Sequence, residues 1–308
     1  TIPAALLDRM ELVRLDGYTE DEKVVIGRDH LLSRQLERAA LRPDEVALTD
    51  DALRLVASEH TREAGVRQLE RALAKVLRKV ATQLASGQAE APVTVDAADL
   101  RGYLGQPRFT PESAQRTSVP GVSTGLAVTG AGGDVLFVEA AAMPGEPGLS
   151  LTGQLGDVMK ESGQIALSYL RANGARLGLP VDALREQRVH LHVPAGAVPK
   201  DGPSAGVTMT TAMASLLTGR PVRSEVGMTG EVSLTGRVLP IGGVKQKLLA
   251  AHRAGLTEVV LPQRNEPDLD DVPASVLEEL TVHLVGDVSE VLELALAPSV
   301  RQPVAEVA

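Results

Sequence analysis

A polar, Pro-punctuated segment at residues 107–120 divides this chain into two stretches with different hydrophobic periodicity. Before it, apolar residues recur every three or four positions, which predicts amphipathic helices. After it, short apolar runs alternate with helical patterns, which is typical of a sheet with packed helices. The 308 residues suffice for two domains, because single hydrophobic cores rarely grow beyond about 250 residues. We therefore predict a helical domain at 1–106, a linker at 107–120, an α/β or α+β domain at 121–297 and a flexible tail at 298–308.

The first stretch carries clear helix signals. Thr19 and Glu22 form a capping box, a side-chain pair that begins a helix. Gly87 follows a run of apolar residues with helical spacing and is expected to stop that helix. We predict four helices and one strand, the helices at 19–32, 49–60, 69–84 and 96–105 and the strand at 93–95.

The second stretch is predicted to alternate strands with helices. The strands are expected at 135–143, 189–193, 226–229, 232–239, 258–261 and 282–285, and the helices at 155–177, 205–217, 244–254 and 288–296. Segments 226–229 and 232–239 flank a glycine-containing turn, so we expect them to pair with each other as one hairpin.

Composition narrows the functional classes. The absence of Cys excludes disulfides, cysteine nucleophiles and thiolate metal sites, and is consistent with a cytoplasmic location. The six His residues include no ligand-spaced pair, so no metal is predicted, and His190 and His192 are expected to have structural roles on one strand face. A net charge of −9 and 2% aromatic residues do not favour nucleic-acid binding.

Two kinds of segment are missing from the sequence. No apolar window approaches the roughly 20 residues of a membrane span, so no membrane contact is predicted. No GxxxxGK[ST] phosphate loop occurs either, so we do not expect this chain to hydrolyse ATP through such a loop.

A candidate nucleophile lies in the segment Gly202-Pro203-Ser204-Ala205-Gly206, which matches the G-x-S-x-G pattern. This pattern places a serine hydroxyl at a strand-to-helix corner, where small neighbours leave room for a substrate carbonyl. Backbone N–H groups at the start of the following helix would face a developing oxyanion. The alternative is that Ser204 only caps that helix, since serine is a favoured N-cap residue.

Two kinds of base could activate this serine. His252 and His283 follow Ser204, and Asp268, Asp270 and Asp271 precede His283, which is the chain order of a Ser–Asp–His hydrolase. However, His283 falls inside a predicted strand, and His252 is expected to face solvent from a helix.

The other candidate base is Lys247, near the start of the helix predicted at 244–254. It lies beside the apolar stripe and among alanines, so poor solvation and the positive end of the helix would both lower its pKa. A base role needs a pKa of roughly 7–8 instead of about 10.4. On the residues alone, Lys247 and its neighbour Lys245 could equally be solvated surface lysines.

Longer segments of the chain resemble bacterial Lon proteases. Residues 1–11, 17–23 and 61–71 resemble the C-terminal half of the ATPase module of that family, and residues 156–162, 199–206, 228–231 and 239–253 resemble its protease domain. The resemblance extends from Thr1 to about Leu296, and it is most specific at PKDGPSAG and GGVKQK. One departure is at 126–128, where many relatives carry a Trp.

This resemblance implies a fold and site residues. The fold would be an α/β (α+β) protease domain preceded by a small helical ATPase-lid domain. Ser204 would be the nucleophile and Lys247 the general base, which settles the choice between lysine and histidine. The resemblance also assigns supporting residues: Thr229 contacts the lysine, Asp201 shapes the active-site loop, Glu139 contributes to the wall of the site, Arg67 senses nucleotide, and Arg9 stands at the position of an arginine finger.

The implied function is that of a serine endopeptidase with a Ser–Lys dyad, the proteolytic part of an ATP-dependent machine that degrades misfolded or unstructured polypeptides as a hexameric ring. Peptide hydrolysis would need no cofactor, and the ATP and Mg²⁺ site of the full-length family would be incomplete, since its phosphate loop and magnesium-binding acid have no counterpart in this sequence. The alternatives are a catalytically idle, ring-forming scaffold with a nucleotide-sensing lid and, less favoured, a Ser–His–Asp esterase.

Overall fold

The computed structural model describes residues 6, 9–11, 17–61, 63, 65–107, 117–129, 132–194 and 199–298. The chain separates into two compact units, residues 1–110 and 111–308. The division falls inside the predicted linker, most of which (108–116) lies outside the described residues, as does nearly all of the predicted tail (299–308). The predicted limits of the linker and the tail therefore stay predictions.

The first unit is mainly helical. Thr19 and Glu22 form the expected capping box at the start of its first helix. The α-helices are α1 (Glu20–Ile26), α2 (Leu32–Arg38), α3 (Asp50–Leu55), α4 (Arg67–Ala85) and α5 (Leu100–Leu104), and π-helical turns at Gly27–Leu31 and Val56–His60 continue α1 and α3.

The first helical segment continues past its predicted end at Leu32 and runs to Arg38. Leu31 and Leu36 are both buried in the core of this unit, and packing of these side chains favours continuation where no Gly or Pro intervenes. Two short strands, β1 (Val46–Leu48) and β2 (Val93–Val95), pair in parallel; only the second of them was predicted.

The second unit is built on a mixed sheet. The strands of this unit are β3 (Val122–Thr129), β4 (Gly132–Pro144), β5 (Gly148–Thr152), β6 (Gln187–His192), β7 (Val226–Met228), β8 (Glu231–Val232), β9 (Val238–Leu239), β10 (Glu258–Pro262) and β11 (Thr281–Val285). Within the described residues, seven of them are ordered β11–β10–β7–β3–β4–β6–β5, and a separate pair is formed by β8 and β9. Strands β11, β10, β7 and β3 run parallel to each other, β4 is antiparallel to both β3 and β6, and β5 is parallel to β6.

Helices cover both faces of this sheet. These helices are α6 (Asp157–Asn173), α7 (Gly206–Thr218), α8 (Val244–Arg253), α9 (Ala274–Glu279) and α10 (Val288–Ala295). On one face, α6, α7 and α10 share a core with inward residues such as Val138, Leu191 and Val260. On the other face, α8 and α9 pack against Leu126 and Val259. The prediction of a helical unit followed by a unit of mixed helix and sheet is confirmed.

The predicted hairpin between segments 226–229 and 232–239 is wrong. Val226, Gly227 and Met228 are all buried and form β7, which lies between β3 and β10 in the large sheet. The hairpin forms one step later, between β8 and β9. A strand with helices packed on both faces gains more from burial at the centre of the sheet than from pairing with its neighbour in sequence.

None of the described helices combines the length and the apolar character that crossing a membrane requires.

Candidate active site

Ser204 lies where the chain enters α7. It is the middle residue of a 3₁₀ turn, Pro203–Ala205, and is partly exposed. Its carbonyl oxygen accepts a hydrogen bond from the backbone N–H of Gly230, at 2.9 Å, and the carbonyl of Gly230 accepts one from Val207, at 3.0 Å. The start of α7 is thus fastened to the segment that follows β7.

Thr229 connects this turn to the sheet. It follows β7 directly, is fully buried, and donates its backbone N–H to the carbonyl of Val260 on β10, at 3.1 Å. Its hydroxyl Oγ1 is 3.3 Å from the carbonyl oxygen of Ser204, to which it donates. Hydrogen bonds between neighbouring strands fix the backbone of a residue at the end of a central strand. The position of the Thr229 hydroxyl is therefore fixed as well.

Lys247 contacts the same hydroxyl. It lies in the second turn of α8, with 2% of its surface exposed, and its Nζ donates to Thr229 Oγ1 at 3.0 Å. Burial lowers the pKa of this amine to about 8, from an ordinary value of 10.5. The sequence argument also invoked the positive end of the helix, but burial is the cause that the structure supports.

The three residues form a chain of contacts. Thr229 Oγ1 accepts from Lys247 and donates to the Ser204 carbonyl, which uses both the donor and the acceptor capacity of one hydroxyl. A direct hydrogen bond between the Ser204 hydroxyl and Lys247 is not among the contacts of the described residues. Catalytic hydrogen bonds are often long in enzymes without substrate. The hydroxyl oxygen of one buried threonine thus bonds both to the carbonyl of Ser204, a residue that is partly exposed, and to the amine of Lys247.

Lys247 lies near the sheet because α8 packs closely against it. Gly133 on β4 lies directly beneath this helix, and a Cβ atom at that position would come within 1.8 Å of the carbonyl oxygen of Gln246. Only glycine therefore lets the first turns of α8 lie so near the sheet.

The histidines have other partners. His283 is on β11, and its Nε2 is 2.9 Å from Glu258 Oε2, a carboxylate that also binds Arg223. His252 is on α8, and its Nε2 is 2.9 Å from Glu279 Oε2. Neither pairs with Ser204 through the hydrogen bonds of the described residues, so the geometry gives no support to a Ser–His–Asp triad. Of the two lysines on α8, Lys245 is partly exposed and only Lys247 is buried.

Asp201 lies near Ser204 and has a definite structural role. Its Oδ1 accepts from the backbone N–H of Met159, at 3.0 Å, and from Gly202, at 2.9 Å. Met159 is in the first turn of α6, whose N-cap residue, Gly156, has no capping side chain. Asp201 therefore caps α6 from a distant part of the sequence.

Glu139, His190 and His192 were also singled out in the sequence. Glu139 is on β4, in register with Val122 and His192, and no hydrogen bond joins it to Ser204, Thr229 or Lys247 in the described part of the chain. His190 and His192 both contact the Thr152 hydroxyl, at 2.9 and 2.7 Å, which agrees with a structural role.

The two arginines assigned to nucleotide binding belong to the first unit. Arg67 begins α4 and lines a groove of about 600 Å³ with residues of α2 and α4, among them Arg38, Glu70 and Arg71. Arg9 is exposed in a turn and donates its backbone N–H to Leu6. No group of three or more His, Asp or Glu side chains in the described ranges could hold a metal ion.

Two contributors to the site escaped the sequence analysis. Gly230 holds the Ser204 carbonyl through its N–H, and Lys200 reaches the Gly153 carbonyl with its ammonium group, at 3.0 Å. The sequence could have pointed to Gly230, because this residue belongs to the MTGE segment that resembles the family motif. Lys200 belongs to PKDGPSAG, but nothing in the sequence indicates where its side chain points.

Comparison with known proteins identifies the family of the chain. Residues 94–298 match the family model described as the Lon protease (S16) C-terminal proteolytic domain, and residues 37–93 match the Lon protease AAA+ ATPase lid domain. The chain belongs to the Lon protease family. The resemblance found in the sequence is thereby confirmed, and the two matched regions meet between residues 93 and 94, ahead of the predicted linker.

Curated Lon proteases are similar over nearly the whole chain. The Lon protease of Salinispora arenicola is 72% identical over 298 residues, that of Frankia alni 74% over 301 residues, and that of Mycolicibacterium smegmatis 65% over 298 residues. Each match covers 97% of this chain but only 38%, 34% and 38% of the respective relative. The chain thus corresponds to little more than a third of the length of these Lon proteases.

Proposed function

We propose that this Lon chain is a serine endopeptidase in which Ser204 is the nucleophile and Lys247 the general base. The observation that carries the proposal is the burial of Lys247. The residue is 2% exposed, and its amine has a pKa lowered to about 8 and a hydrogen bond to Thr229, which in turn binds the Ser204 carbonyl. A buried lysine of this kind is partly neutral near pH 8, and a neutral amine can accept the proton of a serine hydroxyl.

The proposed reaction proceeds in two stages. Ser204 Oγ attacks the scissile carbonyl carbon while Lys247 Nζ takes the hydroxyl proton, and the resulting ammonium then protonates the departing amine. Water hydrolyses the ester of Ser204 by the reverse route, again with Lys247 as base. Backbone N–H groups of the turn at Ser204, just ahead of α7, stabilise the oxyanion in both stages, because the N-terminal end of a helix favours negative charge.

Thr229 positions the base in this scheme. Its hydroxyl accepts a hydrogen bond from Lys247 in either protonation state of the amine, and its own proton is committed to the Ser204 carbonyl. It therefore orients the amine without competing for the proton that is transferred.

We further propose that unstructured polypeptides are the substrates and that the chain acts in the cytoplasm as part of a homo-oligomeric, ATP-dependent Lon machine. We propose that the residues present do not form a complete site for ATP and Mg²⁺. The sequence contains no phosphate loop, and the described residues offer no cluster of metal ligands. No step of the proposed peptide hydrolysis involves nucleotide.

Peptide hydrolysis by three alanine variants tests the proposal. Lys247→Ala is expected to lower kcat by about 10²–10⁴-fold, the usual contribution of general acid–base catalysis. Lys245→Ala and His283→Ala serve as matched controls and are expected to stay within about threefold of the unsubstituted chain. Full activity in Lys247→Ala, or loss of activity in His283→Ala with the fold intact, would overturn the assignment.

A catalytically idle, ring-forming scaffold with a nucleotide-sensing lid is the second candidate, favoured by the arginine-lined groove beside Arg67 in the first unit. A fluorophosphonate probe separates the two functions, because it labels only an activated serine. Labelling at Ser204, abolished in Ser204→Ala, supports the peptidase. Absence of labelling, together with rings detected by sedimentation, supports the scaffold.

A further inference from the structure

Backbone hydrogen bonds join the chain just before Ser204 to residues 153–156, which follow β5. Lys200 forms an isolated parallel bridge with Leu155. Its backbone N–H donates to the carbonyl of Gln154, at 3.1 Å, and its own carbonyl accepts from the N–H of Gly156, at 2.7 Å. Lys200 therefore sits beside residues 153–156 as a one-residue continuation of the sheet.

The side chain of Lys200 adds a third contact to the same segment. It is partly buried, and its Nζ donates to the carbonyl oxygen of Gly153, at 3.0 Å. Gly153 has a φ of 118°, and a Cβ atom there would lie 2.2 Å from the carbonyl oxygen of Val193. The orientation of this acceptor carbonyl thus depends on a conformation and a space that only glycine tolerates.

The next residue, Asp201, binds the chain to a second element, α6. Asp201 Oδ1 accepts from the backbone N–H of Met159 in α6 and from that of Gly202. Lys200 and Asp201 consequently attach adjacent points of the backbone to residues 153–156 and to α6, and Ser204 follows only three residues after Asp201.

We infer that Lys200 is a positioning residue: its ammonium group, bound to the Gly153 carbonyl, fixes the backbone that leads into Ser204 and so aligns the hydroxyl for attack. The inference rests on the proposed role of Ser204 as nucleophile. An ionic donor makes a stronger hydrogen bond than a neutral one, and partial burial shields it from water. Burial also lowers the pKa of this lysine.

The test compares Lys200→Met, which keeps the length of the side chain but removes the ammonium group, with Lys200→Arg, which keeps a cation. Lys160→Met is the matched control, because Lys160 is an exposed lysine on α6 whose ammonium group forms an ion pair with Asp157. Two quantities are measured: peptide hydrolysis over a pH range, and hydrogen–deuterium exchange of the amides at 200–206. If Lys200→Met does not fold, Lys200→Gln takes its place.

In Lys200→Met we expect kcat to fall at least about tenfold, since small displacements of a reacting group have large effects on rate, with KM within about threefold. Amide exchange at 200–206 should accelerate at least about tenfold, because the side-chain contact restrains local opening. The ionisation assigned to Lys247 should persist. Lys200→Arg should recover kcat to within about threefold, and Lys160→Met should match the unsubstituted chain.

Two results would overturn the inference. One is unchanged kcat and unchanged exchange in the folded Lys200→Met or Lys200→Gln variant. The other is disappearance of the ionisation near pH 8, which would make Lys200 itself the base. The proposed function fails separately, if Ser204→Ala still hydrolyses peptide, and in that case the exchange measurement alone still decides whether Lys200 holds the segment.

Discussion

At the scale of single residues, Lys247 combines a cost in stability with a gain in reactivity. The ammonium group of a residue that is only 2% exposed has lost most of its hydration, and the hydrogen bond to the Thr229 hydroxyl replaces little of it. The same loss lowers the pKa of the amine to about 8 and makes it a usable base. Both consequences can be measured.

The first prediction concerns the pH dependence of peptide hydrolysis. Because the neutral amine is the active form, kcat/KM should rise about tenfold per pH unit below pH 8 and level off above it. A pH–rate profile between pH 6 and pH 10 checks this. A midpoint near 6.5, the ordinary pKa of histidine, would instead indicate a histidine base.

The second prediction concerns stability. The pKa of Lys247 in the folded chain, about 8, is below its ordinary value of 10.5, so the unfolded chain binds more protons between these values and stability rises with pH across that interval. Lys247→Met removes the buried charge and should increase the free energy of unfolding by about 1–3 kcal/mol at pH 7, and by less at pH 10. Denaturant titrations at the two pH values measure the difference. A variant less stable than the original at pH 7 would contradict this account of the burial.

The third prediction uses two buried threonines. Thr229→Val removes the hydroxyl that joins Lys247 to the Ser204 carbonyl and should lower kcat by about tenfold or more, since the amine loses its orientation. Thr211→Val is the matched control, because Thr211 Oγ1 is buried without a hydrogen-bond partner in the described part of the chain. The control should keep its activity and gain stability. Equal activities in the two variants would remove Thr229 from the mechanism.

At the scale of elements, the distance between α8 and β4 decides where Lys247 lies. The fourth prediction is that Gly133→Ala pushes α8 away from the sheet, lowers the free energy of unfolding by about 1–3 kcal/mol and reduces kcat. Gly242→Ala is the control, since a Cβ atom there has open space around it. Thermal melting and peptide hydrolysis of both variants provide the comparison. A Gly133→Ala chain with normal activity would show that α8 can shift without moving Lys247 from its site.

At the scale of the whole molecule, a lid region and a proteolytic region occur together without a phosphate loop. The fifth prediction is that this chain cleaves short peptides and a permanently unfolded polypeptide at rates that ATP and Mg²⁺ do not change, and that it leaves a stably folded protein intact. Cleavage assays with and without nucleotide, together with phosphate release, measure both effects. Release of phosphate above background would show that the residues present contain a nucleotide site after all.

Some helices and strands could be predicted from the sequence and others could not. The capping box of Thr19 and Glu22, the amphipathic helix α4 and the strands β6, β10 and β11 follow local patterns, and the structure has them close to the predicted positions. The hairpin at 226–239 was wrong because partner choice among strands is non-local, and β7 pairs with β3 and β10, far away in the chain. Strands β1, β3 and β5 were missed for a related reason, since each is defined by its partners more than by its own composition.

The sequence by itself determined which reactive groups are present: a serine between small residues and a lysine among alanines, with no thiol and no phosphate loop. Its motifs were also specific enough to indicate the Lon family. Only the tertiary structure decided which groups meet. It buried Lys247 rather than Lys245, placed Thr229 between that amine and the Ser204 carbonyl, engaged both candidate histidines with glutamates, and anchored Lys200 beside β5. The physical reason is that solvation and hydrogen-bond geometry depend on neighbours brought together by folding, which local periodicity does not encode.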